Sequence, residues 1–263
     1  MIHTDPRMAR RARWASLVGT SLESYDFYIY AYFAAFFVGP LFFDPLGGFG
    51  GTLAAFLSIA LAFVIRPVGA IVFGHIGDRI GRRKTLILTV TLMGVATGLI
   101  GVLPTYEQAG WIGGAILVLL RLLQGISLGG EWGGAVLVAT EHETGPKRAF
   151  AAAMPQLGSP IGSILSATAF IWLTLALTNE EIVAWAWRIP FLTAIPLLLV
   201  SLWLRVMVTE TPVFEKLVEK DRRPRVPLLA LLKAQPAAII VAVAVALLGI
   251  GSYSLMNTYT INY

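Results

Sequence analysis

Apolar residues along this chain are grouped into seven long runs that are separated by short polar gaps. A helix needs roughly 20 apolar residues to cross the hydrocarbon core of a bilayer, and each run is long enough to do so. The pattern predicts an all-α membrane protein whose helices are called spans 1 to 7. In chain order, the runs cover about residues 15–39, 52–76, 86–104, 111–139, 149–177, 188–208 and 237–261.

The composition supports a membrane protein over a soluble one. Of the 263 residues, 57% are hydrophobic and 13% are charged, whereas a soluble domain carries about 25% charged residues. The net charge of +5 does not indicate a nucleic-acid partner, because the basic residues lie in short clusters between apolar runs. In that position they act as topology signals at the surface of a lipid bilayer.

The sequence offers little for enzyme chemistry. The chain has no cysteine, which excludes disulfides, thiolate chemistry and cysteine-ligated metals. His75 and His142 lie near the ends of spans 2 and 4 without a second histidine at ligand spacing, so both are interpreted as interfacial residues. No phosphate loop, nucleophile elbow or Rossmann fingerprint is present. We therefore expect no metal, no cofactor and no enzyme activity.

Basic residues are concentrated in alternate gaps. They occur before span 1 and after spans 2, 4 and 6, whereas the other gaps hold mainly Asp44, Glu107, Glu180 and Glu181. Loops rich in lysine and arginine remain in the cytoplasm, which predicts a multi-pass protein of the inner membrane with a cytoplasmic N-terminus. No cleavage site follows the first run, so span 1 is interpreted as uncleaved. Tryptophans near span ends are interpreted as interfacial anchors, namely Trp14, Trp111, Trp185 and Trp187.

The charged stretch after span 6 divides the chain. It is rich in lysine, arginine and proline and is interpreted as a cytoplasmic linker that contains a short amphipathic helix. We therefore expect a six-helix bundle over 1–208, a linker over 209–235 and the first helix of a second, truncated bundle over 236–263. Span 7 ends at Tyr263 without a closing basic segment, so a C-terminal half is expected to be missing.

Several charged residues lie inside the predicted spans, where each costs at least about 2.5–3.5 kcal/mol on insertion scales. Helical spacing places Glu23, Asp26 and Tyr30 on one face of span 1, and Arg121, Gln124 and Glu131 within one arc of span 4. Span 2 carries Arg66. The pattern predicts a polar cluster inside the bundle in which cations and anions pair.

Two interpretations of this cluster remain open. It is either a static set of ion pairs that fixes helix packing or a site for protons and substrate. A carboxylate beside an arginine stays ionised, whereas one that loses its partner takes up a proton more readily. The candidates for proton coupling are Glu23, Asp26 and Glu131. The candidates for substrate binding or charge pairing are Arg66, Arg121, Gln124 and Tyr30.

The gap after span 2 has an ordered motif, Gly74-His75-Ile76-Gly77-Asp78-Arg79-Ile80-Gly81-Arg82-Arg83-Lys84. Gly81 allows a tight turn, Asp78 can pair with an arginine or cap a helix, and the basic run favours an anionic lipid surface. The motif resembles the loop between spans 2 and 3 of the major facilitator superfamily. That resemblance implies a cytoplasmic gating loop formed by Gly74, Asp78, Arg79, Gly81 and Arg82.

Further stretches resemble the metabolite:proton symporter family, which includes transporters of shikimate, α-ketoglutarate, citrate and proline or betaine. They are Glu23–Phe27, Arg121–Gly125, Gly129–Gly134, Pro155–Gly158, Trp187–Phe191 and Glu210–Phe214. The resemblance implies a major facilitator six-helix bundle plus one further helix, and proton-coupled symport of a small organic metabolite by alternating access. The alternative is a truncated, non-transporting membrane protein that acts as a sensor or assembly partner.

Overall fold

The structure is a computed structural model that describes residues 6–143, 145–211, 214 and 234–262, and every regular element in that part of the chain is helical. Span 1 is Pro6–Phe33, continued by the π-helical turn Ala34–Val38 and by Gly39–Phe42. Span 2 consists of Gly47–Val64 and Arg66–Ile80, and spans 3, 4 and 5 are Arg82–Ile100, Trp111–Glu141 and Lys147–Ala176. Span 6 consists of Ala186–Arg188, Ile189–Leu192 and Ala194–Val206, and span 7 is Pro236–Asn262. Shorter helices are Asp44–Leu46, Tyr106–Ala109 and Asn179–Ala184.

Five of the described helical stretches are long and apolar enough to cross a membrane, and they correspond to spans 2 to 6. Span 1 is 28 residues long, about 42 Å at the helical rise. Its arginines, carboxylates and hydroxyls reduce its mean hydropathy, so it does not meet the same criterion. Its polar residues are explained by its position inside the bundle, where Asp26, Tyr25 and Tyr30 are buried.

The chain forms two compact units, residues 1–221 and 222–263. In the first unit, span 1 packs along span 5, and span 4 packs against spans 2 and 3. Span 6 lies against spans 1 and 3. In the second unit, span 7 is a single helix. Most of the predicted linker lies outside the described residues, so the boundaries at 208 and 235 stay a prediction.

One predicted interfacial anchor is wrong. Trp14, Trp111 and Trp185 are about half exposed, as anchors are, but Trp187 is fully buried. Its ring stacks on Phe33 at 4.8 Å and meets Phe42 edge-on at 5.8 Å. The sequence places Trp187 near the end of a span but does not show that the first turn of span 6, Ala186–Arg188, directs it into an aromatic core.

The gap between spans 5 and 6 begins with a capping box. The Thr178 hydroxyl accepts a hydrogen bond from the Glu181 backbone amide, and the Glu181 carboxylate accepts one from the Thr178 amide. The bond from this amide, together with one from the Thr178 hydroxyl, holds the pKa of Glu181 below its usual value. The box satisfies amide groups at the start of Asn179–Ala184 that have no partner within the helix.

Glycines bring spans 2 and 4 into backbone contact. A Cβ at Gly129 would collide with the carbonyl oxygen of Arg66, and a Cβ at Gly69 would collide with the carbonyl of Ile126. Gly133, one turn beyond Gly129, has open space around its Cα. Small residues at such positions let membrane helices approach closely.

The different surroundings of Gly129 and Gly133 lead to a prediction about stability. We expect Gly129→Ala to destabilise the chain by about 1–3 kcal/mol, because a methyl group is forced against backbone atoms. Gly133→Ala is the matched control, and we expect it to be neutral or stabilising by up to about 1 kcal/mol, since alanine favours helix. Unfolding of both variants in detergent with a common denaturant series measures the difference. Equal stability of the two variants would contradict the close approach of spans 2 and 4.

Candidate functional site

Asp26 of span 1 is the centre of a buried hydrogen-bond network. Its Oδ1 accepts hydrogen bonds from the hydroxyl of Thr97 on span 3 and from Gln124 Nε2 on span 4, the latter at 2.8 Å. Its Oδ2 lies 3.9 Å from Nη1 of Arg121. Asp26 and Arg121 are each 1% exposed and Gln124 is 0% exposed. Three spans therefore hold one carboxylate and its counter-ion away from bulk solvent.

Arg121 is held from two further directions. Its Nη1 donates to Gln124 Oε1 at 2.7 Å, and its guanidinium lies 3.7 Å from the ring centroid of Tyr30. The Tyr30 hydroxyl pairs with Ser58 of span 2 at 2.6 Å. The sequence-predicted residues Asp26, Tyr30, Arg121 and Gln124 are thus brought together, and Arg121 has a charge partner.

Glu131 lies in a separate buried pair with Arg205, a residue that the sequence interpretation missed. Arg205 Nη2 donates to Glu131 Oε1, and Arg205 Nη1 donates to the Leu86 carbonyl of span 3 at 2.6 Å. A Cβ at Gly19 of span 1 would collide with this guanidinium. The pair therefore connects four spans. One available signal was that Arg205 stands within the apolar run of span 6.

Glu23 and Arg66 belong to neither pair. Arg66 is partly exposed, and its guanidinium carbon lies 4.1 Å from the centroid of the Phe63 ring and 5.9 Å from that of Phe27. Glu23 is also partly exposed, and it interacts electrostatically with Glu131, Arg66, Arg205 and Asp26. The sequence predicted one polar cluster, but the structure divides these residues into three groups. Two groups are buried ion pairs, and the third is a more exposed group of charges between spans 1 and 2.

The loop between spans 2 and 3 is a tight turn held by side chains. Gly81 has a φ of 110°, which favours glycine. Asp78 pairs with Arg82 at 2.7 Å. The amide of Arg82 donates to Glu210 Oε1 at 2.9 Å, so Glu210, rather than Asp78, caps the start of span 3. The amide of Arg83 donates to the same carboxylate at 3.2 Å.

The remaining gating-loop candidates, Gly74 and Arg79, lie in the last two turns of span 2. Gly74 and Arg82 line a cavity of about 200 Å³ between spans 2, 3 and 4, together with Gly129 and Gly133. Arg79 is exposed. The loop residues therefore surround the junction of three spans at one end of the bundle, the end that also contains the basic N-terminal segment.

The described residues contain no group of three or more histidines, cysteines and carboxylates that could hold a metal. His142 is 3% exposed, and its Nδ1 lies 2.8 Å from the Val138 carbonyl oxygen. The side chain folds back on its own helix, and its interfacial position stays a prediction. His75 is partly exposed.

Comparison with known proteins supports the resemblance read from the sequence. Residues 12–226 match the family model described as Sugar (and other) transporter. The chain belongs to that family. The relatives that match are themselves named as transport proteins, in agreement with the interpretation that the chain is not an enzyme.

Curated relatives match nearly all of this chain. The inner membrane metabolite transport protein YhjE of Escherichia coli K12 is 42% identical over 95% of this chain and 54% of its own length. The shikimate transporter of the same organism is 38% identical over 97% of this chain and 59% of its own length. A proline/betaine transporter of Salmonella typhimurium is 35% identical over 82% of this chain. The chain spans about half the length of the curated relatives it matches.

Solved structures show the fold. The major facilitator proton:xylose symporter XylE bound to 6-bromo-6-deoxy-D-glucose superposes with a TM-score of 0.72 at 16% identity, over 84% of this chain and 48% of that protein. The partially occluded inward open form of XylE from E. coli gives 0.68 at 17% identity over 84% of this chain. The predicted fold class, a major facilitator six-helix bundle with a further helix, is confirmed, and the chain is a multi-pass membrane protein.

Proposed function

We propose that this chain forms half of a proton-coupled symporter that moves a small organic metabolite across the inner membrane by alternating access. The observation that carries the proposal is the buried Asp26–Arg121 pair, which Gln124 and Thr97 hold by hydrogen bonds. A buried ion pair is costly to form and contributes little net stability. Ionisable groups retained inside membrane spans mark proton or substrate pathways. The presence of this pair despite its free-energy cost therefore indicates a functional role.

Protonation of Asp26 would convert this pair into a neutral acid beside a cation. The carboxylate is ionised while Arg121 is near, and it takes up a proton when a conformational change separates the two. Gln124 bonds both partners, with Nε2 toward Asp26 and Oε1 toward Arg121, and so aligns them. Glu23 and Glu131 are the other proton-coupling candidates, and Glu131 would act through its pair with Arg205.

The proposed substrate is an organic acid such as shikimate or a dicarboxylate, or a zwitterion. Two of the relatives are named for shikimate and for proline or betaine, and both kinds of molecule carry a carboxylate. Arg66, Arg121 and Tyr30 are the candidates to contact such an anion. A substrate site between two bundles requires a second bundle, so a C-terminal half is the proposed partner of this chain, alongside protons and lipid.

The turn between spans 2 and 3 is proposed as the cytoplasmic gate. Glu210, which follows span 6, caps span 3 through the amides of Arg82 and Arg83. Asp78 pairs with Arg82 within the turn. Movement of span 6 relative to span 3 therefore has to break charged hydrogen bonds at this point. Gly74, Arg79 and Gly81 complete the proposed gating loop.

The cytoplasmic orientation of the N-terminus has a direct test, because the chain contains no cysteine. Lys147 and Glu180 are both exposed and flank span 5. We expect Glu180→Cys to react with a membrane-impermeant maleimide in intact cells. We expect Lys147→Cys to react only after permeabilisation. The opposite pattern of labelling would reverse the orientation derived from the basic loops.

Uptake of labelled shikimate and of a labelled dicarboxylate by vesicles with an imposed pH gradient tests the proposed function. We expect vesicles that contain this chain together with a C-terminal half to accumulate at least one of them, and we expect a protonophore to abolish that accumulation. Accumulation that is indifferent to the protonophore would overturn symport. The alternative function is a non-transporting membrane protein that acts as a sensor or assembly partner. The decisive pair of results is no uptake by this chain alone and restored uptake when the C-terminal half of a relative is co-expressed. That pair of results would establish that the chain needs a partner.

A further inference from the structure

Spans 1 and 5 lie side by side and run in the same direction from the end of the bundle that contains the basic N-terminal segment. The Arg13 guanidinium carbon lies 5.6 Å from the centroid of the Phe150 ring. Farther along the two helices, the Thr20 hydroxyl donates to the Pro155 carbonyl at 2.7 Å. Arg13 also pairs with Glu143, which follows span 4, at 3.3 Å. These contacts fix the first turns of spans 1 and 5 next to each other.

Each of these two helices carries an exposed cation one turn before the contact. Arg10 is three residues before Arg13, and Lys147 is three residues before Phe150, so each cation shares a helix face with the residue that follows it. Because residues 13 and 150 meet, Arg10 and Lys147 lie at the same level on neighbouring helices. In the part of the chain that the structure describes, neither of these two side chains forms an ion pair or a hydrogen bond.

The cations at the start of span 3 are arranged differently. Arg82 pairs with Asp78 at 2.7 Å, and Arg83 Nη2 donates to the Val206 carbonyl at 2.6 Å. Lys84 is exposed, but the residues one turn farther along its helix are aliphatic. The start of span 3 therefore offers a single exposed cation, Lys84, without an aromatic residue after it, and this makes it a useful comparison for spans 1 and 5.

Exposed aromatic rings follow the two cations of spans 1 and 5 by one helical turn. Trp14 is 51% exposed and lies four residues after Arg10, and Phe150 is 56% exposed and lies three residues after Lys147. Three to four residues correspond to about 4.5–6 Å along a helix. Tryptophan side chains favour the headgroup level of a bilayer, and cations at the membrane surface attract anionic lipids. The order of cation and aromatic ring on both helices matches the order of phosphate and acyl chain in a phospholipid.

The apolar surface continues beyond Phe150 along span 5. Residues seven, eleven and fourteen positions after Phe150 share its flank of the helix, and they are 51%, 38% and 65% exposed, namely Leu157, Ile161 and Ile164. A long exposed apolar flank in a membrane helix suits contact with lipid acyl chains. Lys147 and Phe150 thus stand at the outer end of a surface that faces lipid.

We propose that Arg10, Trp14, Lys147 and Phe150 form a binding site for one anionic phospholipid, called the span 1/5 lipid site. The lipid phosphate lies between Arg10 and Lys147, and an acyl chain lies along Phe150 and the apolar flank of span 5. Charge complementarity selects this ligand, because one anionic lipid supplies both the anion that two unpaired cations attract and the apolar chain that the exposed flank contacts. Binding of such a lipid depends neither on transport nor on a second bundle.

Native mass spectrometry of the full chain, released from nanodiscs of equal parts phosphatidylglycerol and phosphatidylcholine, tests the site. We expect the wild type to retain one phosphatidylglycerol in preference to phosphatidylcholine. Arg10→Gln and Lys147→Gln are each expected to weaken that retention about fivefold, the effect of removing one cation from the membrane surface. Lys84→Gln removes the same charge from the start of span 3 and should behave as the wild type. All three side chains are exposed, so the variants should keep the fold.

Three outcomes of this experiment would overturn the span 1/5 lipid site. Equal retention of the two lipids would remove the selection for an anion. Equal weakening by Lys84→Gln and by the variants of Arg10 and Lys147 would show a diffuse attraction of all surface cations. Displacement of the lipid by excess inorganic phosphate would assign the two cations to free phosphate instead.

Tryptophan fluorescence locates the bound lipid. Phosphatidylglycerol that is brominated on its acyl chains is expected to quench the fluorescence of the wild type more than brominated phosphatidylcholine does, because the bound lipid lies beside Trp14. Trp14→Phe is expected to lose that difference. If the difference persists in Trp14→Phe, the lipid binds elsewhere on the chain, and the proposed site is wrong.

Discussion

Replacing Arg205 with alanine is expected to lower the free energy of unfolding by about 3–5 kcal/mol, because it leaves the Glu131 carboxylate buried without its counter-ion. Glu131 is 0% exposed and Arg205 is 4% exposed, so water cannot readily replace the lost partner. Arg205 also donates to the Leu86 carbonyl and fills the space beside Gly19. The loss therefore affects the packing of spans 1, 3, 4 and 6 together. Denaturant unfolding in detergent, followed by circular dichroism, measures the effect.

The double variant Arg205→Met/Glu131→Leu separates lost charge from lost volume. We expect it to recover most of the stability, because replacing both members of a buried ion pair with apolar residues is often neutral or stabilising. Arg188→Ala is the matched control on span 6. Arg188 is partly exposed, and its Nη2 donates to the Leu103 carbonyl at 3.2 Å. If Arg205→Ala is as stable as Arg188→Ala, the Arg205–Glu131 pair does not hold the bundle together.

The Arg205 pair also shows what the sequence can and cannot predict. Periodicity places Glu131 on the same arc of span 4 as Arg121 and Gln124, and this suggests one cluster. Arg121 and Glu131 are ten residues apart, however, which corresponds to about 15 Å of helical rise, so Glu131 meets a different set of neighbours from those of Arg121. An arginine close to a span end is expected to extend toward the interface. Whether Arg205 extends outward or turns inward depends on the space left by Gly19, which lies 186 positions earlier in the chain.

The fold itself could be predicted from the sequence because its sequence signals are local. Apolar run length locates spans 2 to 6, and the ordered glycines and charges of the 74–84 motif identify the loop between spans 2 and 3. Thr97, by contrast, could not be singled out. A threonine in an apolar helix commonly bonds its own backbone, as Thr97 does to the Met93 carbonyl at 2.9 Å. Its additional bond to Asp26 depends on the rotation of span 3 against span 1.

Replacing Asp26 with asparagine is expected to abolish accumulation driven by the pH gradient while leaving the bundle folded. Asparagine has nearly the same shape and retains an oxygen that can accept from Thr97 and Gln124, but it cannot bind and release a proton. For one proton per substrate, a gradient of about one pH unit can sustain about tenfold accumulation. We expect the variant to fall to equal concentrations on the two sides, with facilitated exchange of substrate retained. Vesicle uptake with and without the imposed gradient measures the ratio.

Loss of the Asp26 charge should not unfold the protein, which distinguishes this variant from Arg205→Ala. The Arg121 Nη1 lies 3.9 Å from Asp26, whereas it donates to Gln124 at 2.7 Å and the guanidinium stacks on Tyr30 at 3.7 Å. Arg121 therefore keeps its shorter contacts in the variant. Asp44→Asn makes the same chemical change at an exposed turn and should accumulate substrate normally. Tenfold accumulation by Asp26→Asn would exclude Asp26 as the coupling carboxylate and leave Glu23 and Glu131 as the candidates.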